Sequence, residues 1–192
     1  YADFGARVTV LARDAEILPG VDADVARHLR KSMEARGVVF RLHTTVSRLA
    51  AVRDGVRIEF DSAGMANEMT SSQVCAAVGR RFYPRTIGAA RIGLEMGRLG
   101  LRTSPYLSTS VPHIYAAGDL SGKLPLSSVA SMQGRKIAEH ALGLHAGPHR
   151  HLDYEKAASA IFTDPEIADV GLAEADAFAV GRKVRVTKVP FS

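Results

Sequence analysis

The sequence predicts an α/β protein built on a doubly wound parallel sheet, and three observations carry that reading. Arg7, Val8, Thr9, Val10 and Leu11 form a short, β-branched apolar run, the pattern of a strand buried on both faces. Residues 22–36 follow with Val25, Leu29 and Met33 on one helical stripe, and residues 38–42 supply the next strand. A second strand-to-helix passage comes later, where residues 114–117 run into Gly118 and Asp119 and a helical pattern fills 127–142. Strands that alternate with helices pair in parallel through right-handed crossovers.

The elements follow in order. The chain opens at Tyr1 as though inside a helix and stops at Pro190, Phe191 and Ser192 inside an expected strand, so it reads as an internal piece of a longer protein. Gly37 ends the first helix. The rhythm then changes: residues 46–52 and 56–60 flank Arg53, Asp54 and Gly55, the signal of a hairpin. A further strand is expected over 73–78, ending at Gly79. Gly118 breaks the strand at 114–117, leaving Asp119 at its carboxyl end, where open α/β sheets bind ligands. A carboxylate there accepts hydrogen bonds from sugar hydroxyls. Ser127 or Ser128 is expected to cap the helix behind it, whose free N–H groups and positive dipole end would face the same crevice.

Composition narrows the function classes. The 192 residues are 46% hydrophobic, enough for one ordinary domain or parts of two. Mean hydropathy is zero. No run of eighteen apolar residues occurs, so no membrane-spanning helix is expected. The start lacks the basic and apolar regions of a signal peptide, and a cytoplasmic location is expected. Lys and Arg number 25 against 20 Asp and Glu, a net charge of +5, with only Arg27, Arg30 and Lys31 close to a patch. Without a zinc-finger spacing or an RNA-binding aromatic motif, this reads as a solvated basic surface rather than a nucleic-acid site. Cys75, the sole cysteine, lies in an apolar run and reads as a small buried side chain. His145, His149 and His151 share no fixed face, so a linker is favoured over a metal site.

The run Thr109, Ser110, Val111, Pro112, His113, Ile114, Tyr115, Ala116, Ala117, Gly118, Asp119 resembles the second flavin motif of the pyridine nucleotide-disulfide oxidoreductases. That family includes glutathione reductase, dihydrolipoamide dehydrogenase, mercuric reductase, soluble transhydrogenase and a quinone reductase. The resemblance implies a Rossmann-like flavoprotein with FAD and NAD(P) domains and an α+β dimerisation domain. It implies that Gly118 and Asp119 hold the ribityl chain of FAD, and that the backbone at Leu126, Ser127 and Ser128 faces the flavin pyrimidine edge. Residues 1–79 correspond to an NAD(P)-binding domain lacking its first strand and Gly-rich turn. Residues 80–147 correspond to the return of the FAD domain, and 148–192 to the start of the dimerisation domain. The stretch Arg80, Arg81, Phe82, Tyr83, Pro84, Arg85, Thr86 is similar to the family's Gly-Arg and Pro-Asn-Thr signature, with Arg85 where Asn is expected. Residues 160–171 are similar to the opening of the dimerisation domain.

A Rossmann site selects its nucleotide with the residue ending the second strand. An acid there binds the ribose 2′-hydroxyl of NAD; here Ala12 takes that place and Arg13 follows. A guanidinium suits the 2′-phosphate, so NADP is favoured over NAD. By resemblance, Val46 and Gly79 line the nicotinamide side. The function implied is hydride transfer from NAD(P)H to FAD and on to a disulfide, quinone or pyridine nucleotide, in a homodimer. The family's cysteine pair and its His-Glu pair fall outside this chain, so no catalytic residue is assigned within it. Gln133, Gly134 and Arg135 resemble the quinone-reductase and transhydrogenase branch. Two other readings stay open: a nucleotide-binding module or degenerate remnant without turnover, and a subunit-interface piece resting on residues 162–171. Alone, the 192 residues are expected not to retain FAD.

Overall fold

The computed structural model describes residues 1–80, 82, 87–144 and 151–190. Two compact units form, one from Tyr1–Ala77 with Ala160–Ser192 and the other from Val78–Ser159.

In the first unit, β1 (Thr9–Leu11) pairs in parallel with β2 (Val39–Arg41), in the register Thr9 to Val39, Val10 to Phe40 and Leu11 to Arg41. The crossover is α1 (Ala23–Ala35), capped by Asp22 and Arg36. The expected βαβ unit is therefore present. The buried stripe of α1 centres on Ala26 and Leu29, while Val25 stays exposed. The helix ends as the sequence demands. Gly37, at φ 85°, donates its N–H to the Glu34 carbonyl, and Val38 donates to Met33. This paired closure needs a left-handed residue that glycine adopts without a Cβ penalty.

The hairpin extends further than the sequence signals suggest, as β3 (Thr44–Val52) and β4 (Gly55–Ser62) in antiparallel pairing. Gly55 is required by close approach: a Cβ there would lie 2.2 Å from the Ser71 carbonyl oxygen. The third strand of this sheet is β5 (Met65–Ser71), not the expected segment 73–78. Ala63 and Gly64, both at positive φ, make a two-residue turn between paired Ser62 and Met65, and the Asp61 carboxylate accepts the Gly64 N–H at 2.9 Å. That turn returns a polar strand along β4. Residues 73–78 join no ladder among the described residues. Cys75 is accordingly exposed, correcting the expectation of a buried thiol.

Residues 160–190 pack on α1 in the same unit. The Asp22 carboxylate accepts the N–H of Glu174 at 2.7 Å, where α3 (Glu174–Ala179) begins. Arg36 pairs with Asp164 at 2.9 Å, and Lys188 pairs with Asp24. Between them β6 (Ser159–Ile161) and β7 (Ile167–Asp169) form a two-stranded ladder. Among the described residues, 182–190 join no ladder; Phe191 and Ser192, on which the expected final strand also falls, lie outside them.

The second unit is organised by α2 (Ser127–Ala141) and a small core of Ala89, Leu94, Leu101 and Ala116, against which Phe82, Val111, Ile114 and Leu120 pack. The strand expected over 114–117 is an extended segment with one bridge, Tyr115 to Ser108. It is held by the Thr109 N–H on Ile114 and the Ala116 N–H on Leu107.

Candidate functional site

The five residues expected at a flavin site lie along the passage from the extended segment to α2. Gly118 stands at φ 67°, a left-handed conformation that glycine adopts freely, and begins a 3-10 turn over Gly118–Ser121. An added Cβ there would lie 3.4 Å from the Ala130 methyl, so α2 and the turn approach closely. Asp119 projects from this turn. Its carboxylate is nearly half exposed and accepts from Arg80 at 2.7 Å. Arg80 is itself exposed, so the donor on this carboxylate is a solvent-facing side chain.

Ser127 and Ser128 are exposed and occupy the first two positions of α2, with Leu126 as the N-cap. The cap carries no side-chain hydrogen bond, which corrects the expectation that Ser127 or Ser128 caps the helix. The serines are inside the helix, one and two residues past the cap position. No side chain therefore claims the first amides of α2, although the Leu126 N–H itself is donated to the Leu124 carbonyl at 2.9 Å.

Beneath the turn lies a polar cluster that the sequence reading did not assign to the site. Gln133 is fully buried, at 0% exposure. Its Oε1 accepts the Gly118 N–H at 2.6 Å, and its Nε2 donates to Ser121 Oγ at 3.2 Å and to the Tyr154 hydroxyl at 3.0 Å. Ser121 Oγ in turn donates to the Gly118 carbonyl at 2.8 Å. The legible signal was a polar residue on the apolar stripe of α2, four positions after buried Val129. Gly100 and Gly122 lock the far side of the turn: a Cβ on Gly100 would sit 2.5 Å from both Gly122 N and Leu120 O.

The nucleotide candidates divide between the units. Ala12 continues β1, donating its N–H to Arg41 and accepting from Thr44, both at 2.9 Å. Arg13 projects into solvent with its Nε 3.6 Å from Asp14. The loop after it is tied to α1 by Glu16, which receives Arg30 Nε at 2.8 Å and Nη2 at 3.1 Å. That pairing holds the Glu16 carboxyl below its ordinary range. Val46 is exposed at a register shift in β3. Gly79, at φ 111°, belongs to the second unit. Pro84, Arg85 and Thr86 of the altered signature lie outside the described residues, as do His145 and His149. Among the described residues no metal-ligating cluster occurs, and no helix is long and apolar enough to cross a membrane.

The chain carries a parallel strand–helix–strand unit and, in its other unit, a Gly-Asp turn that leads into a helix. The family model described as pyridine nucleotide-disulphide oxidoreductase matches residues 1–134, and the chain belongs to that family. It is 38% identical to a dihydrolipoyl dehydrogenase of Haloferax volcanii over 194 residues, covering 100% of this chain and 40% of that protein. It is 31% identical to leghemoglobin reductase of Glycine max, covering 100% of this chain and 36% of that one. The solved structure of LpdA from Mycobacterium tuberculosis matches with a TM-score of 0.79 and 33% identity, over 94% of this chain and 38% of that one. RclA of Escherichia coli, a HOCl-induced flavoprotein disulfide reductase, shares the fold at a TM-score of 0.84 and 24% identity, over 98% of this chain and 42% of that one. The chain thus spans about 40% of the length of the curated relatives it matches.

Proposed function

We propose that the chain is part of a FAD-dependent NAD(P)H oxidoreductase that moves hydride from the nicotinamide to FAD and on to a disulfide, quinone or pyridine nucleotide. The observation that carries this reading is the partly exposed Asp119 carboxylate, paired with the exposed Arg80, on a left-handed Gly118 turn that leads to the N-terminus of α2, in a chain of this family. When bound, FAD supplies the two-electron chemistry, and the protein supplies position and electrostatics. Asp119 would accept hydrogen bonds from the ribityl hydroxyls in place of Arg80. The helix end at Leu126, Ser127 and Ser128 would present the positive end of its dipole to the flavin ring through the Ser127 and Ser128 amides, since the Leu126 N–H is donated to the Leu124 carbonyl at 2.9 Å. Both fit the residues present, since neither the carboxylate nor the helix end is enclosed by protein.

On the nucleotide side, Arg13 selects NADPH by pairing with its 2′-phosphate, and its exposure leaves it free to do so. Val46 and Gly79 line the nicotinamide through backbone groups. The domain assignment that accompanies this reading is 1–79 for NAD(P), 80–147 for FAD, and 148–192 for the start of a homodimer-forming domain in a cytoplasmic protein. The test is anaerobic reduction of FAD bound to the full-length protein by NADPH and by NADH. Flavin bleaching by both, faster with NADPH, is the expected result. A purified protein that neither carries nor rebinds FAD overturns the reading.

A further inference from the structure

We propose that Gln133 is a positioning residue that sets the Asp119 carboxylate for the flavin tail, acting through a closed ring of hydrogen bonds around Gly118. The inference rests on the FAD reading above and adds to it a residue that never touches the cofactor. Three bonds close the ring: Gly118 N–H to Gln133 Oε1 at 2.6 Å, Gln133 Nε2 to Ser121 Oγ at 3.2 Å, and Ser121 Oγ to the Gly118 carbonyl at 2.8 Å. The Gly118 N–H belongs to the peptide before Gly118 and its carbonyl to the peptide before Asp119. Gln133 directly, and Ser121 oriented by it, therefore hold the two peptide planes around the residue whose φ of 67° aims Asp119. Rotation of either plane would swing the carboxylate.

The amide is the group that this arrangement requires. A backbone N–H only donates, so it fixes Oε1 toward Gly118 and Nε2 toward the two hydroxyls. The second Nε2 proton goes to the Tyr154 hydroxyl at 3.0 Å, so both amide protons have acceptors and the buried group is fully partnered. Methionine matches the length but offers none of these bonds. Glutamate keeps the acceptor for Gly118, and its protonation state decides the rest. Protonated, it donates to Ser121 and the ring stays closed. Ionised, it draws the Ser121 proton to itself, and the Gly118 carbonyl is released.

The experiment measures equilibrium FAD affinity of the full-length apoprotein, wild type against Gln133→Met, Gln133→Glu and Ser121→Ala, across pH, with cooperative thermal melting as the check of folding. Gln133→Met is expected to weaken FAD about tenfold at every pH, the effect of stranding one buried donor. Ser121→Ala, a small change at a buried site, removes two of the three ring bonds while leaving the Gly118 N–H on Gln133 Oε1, and weakens FAD several-fold. The ratio of Gln133→Glu affinity to wild type should approach one at low pH and fall as pH rises through its burial-raised pKa. A purely structural role would leave that ratio flat. Affinities within twofold of wild type for Gln133→Met and Ser121→Ala, or a flat Gln133→Glu ratio, overturn the inference while the FAD reading stands. Failure of wild type to bind FAD overturns both.

Discussion

Gly100→Ala perturbs the turn that carries Asp119 without touching any charged group. Its new Cβ would stand 2.5 Å from Leu120 O, 2.5 Å from Gly122 N and 2.8 Å from Gly122 Cα, against an ordinary contact of 3.4–4 Å. All three are backbone atoms, so no flexible side chain can swing aside. The loop over Gly122 must move by roughly an ångström, at an overpacking cost of about 1–3 kcal/mol. That movement also strains the Leu101 N–H bond to Leu120 O, 2.8 Å long, which contributes about 1 kcal/mol more. The sum is about 2–4 kcal/mol of destabilisation. Gly134→Ala serves as the internal comparison: it lies inside α2, exposed, and nothing stands within 4 Å of its added Cβ. It should stabilise by about 0.5–1 kcal/mol through helix propensity. Urea midpoints of the two variants in the full-length protein, read against wild type, should therefore move in opposite directions. Gly100→Ala unfolding at the wild-type midpoint would refute the close approach of the two loops.

Three further outcomes are expected. Arg13→Ala should raise the NADPH KM about tenfold, the loss of one charge-assisted contact, and leave the NADH KM nearly unchanged; steady-state kinetics with both coenzymes decides it. Glu16 is held below its ordinary value of 4.5, chiefly by the Arg30 hydrogen bond. The native state therefore binds fewer protons there than the unfolded chain. Its contribution to stability is full above pH 4.5 and disappears as pH falls through the depressed native value; Arg30→Met should reduce that part of the acid dependence in unfolding curves. Gly55→Ala, whose Cβ would meet the Ser71 carbonyl oxygen at 2.2 Å, should loosen the β4–β5 edge. Faster amide exchange over 65–71 would report it.

The βαβ unit was legible because Val8, Val10, Leu29 and Gly37 are each local signals that agree with the packing. The flavin turn was legible through Gly118 and Asp119, where a backbone conformation and a charge are both written in residue type. What stayed hidden depends on partners. Strand β5 is polar and exposed, with Met65, Glu68 and Thr70 showing no alternation, and only the Ala63–Gly64 turn places it beside β4. Residues 73–78 have strand composition, yet the described residues give them no neighbouring strand, and Cys75 is exposed for the same reason. Gln133 was visible as a polar residue on an apolar stripe. Its partners Gly118, Ser121 and Tyr154 lie up to 21 residues away, and spacing along one helix cannot reveal them.

The most direct measurement is the FAD dissociation constant of full-length Asp119→Ala beside wild type, both as apoprotein, by flavin fluorescence. Loss of a hydrogen-bonded charge should weaken binding roughly 10- to 150-fold, with thermal melting of the two apoproteins alike because Asp119 is exposed. Equal affinities would mean that the Gly118–Asp119 turn does not hold the flavin.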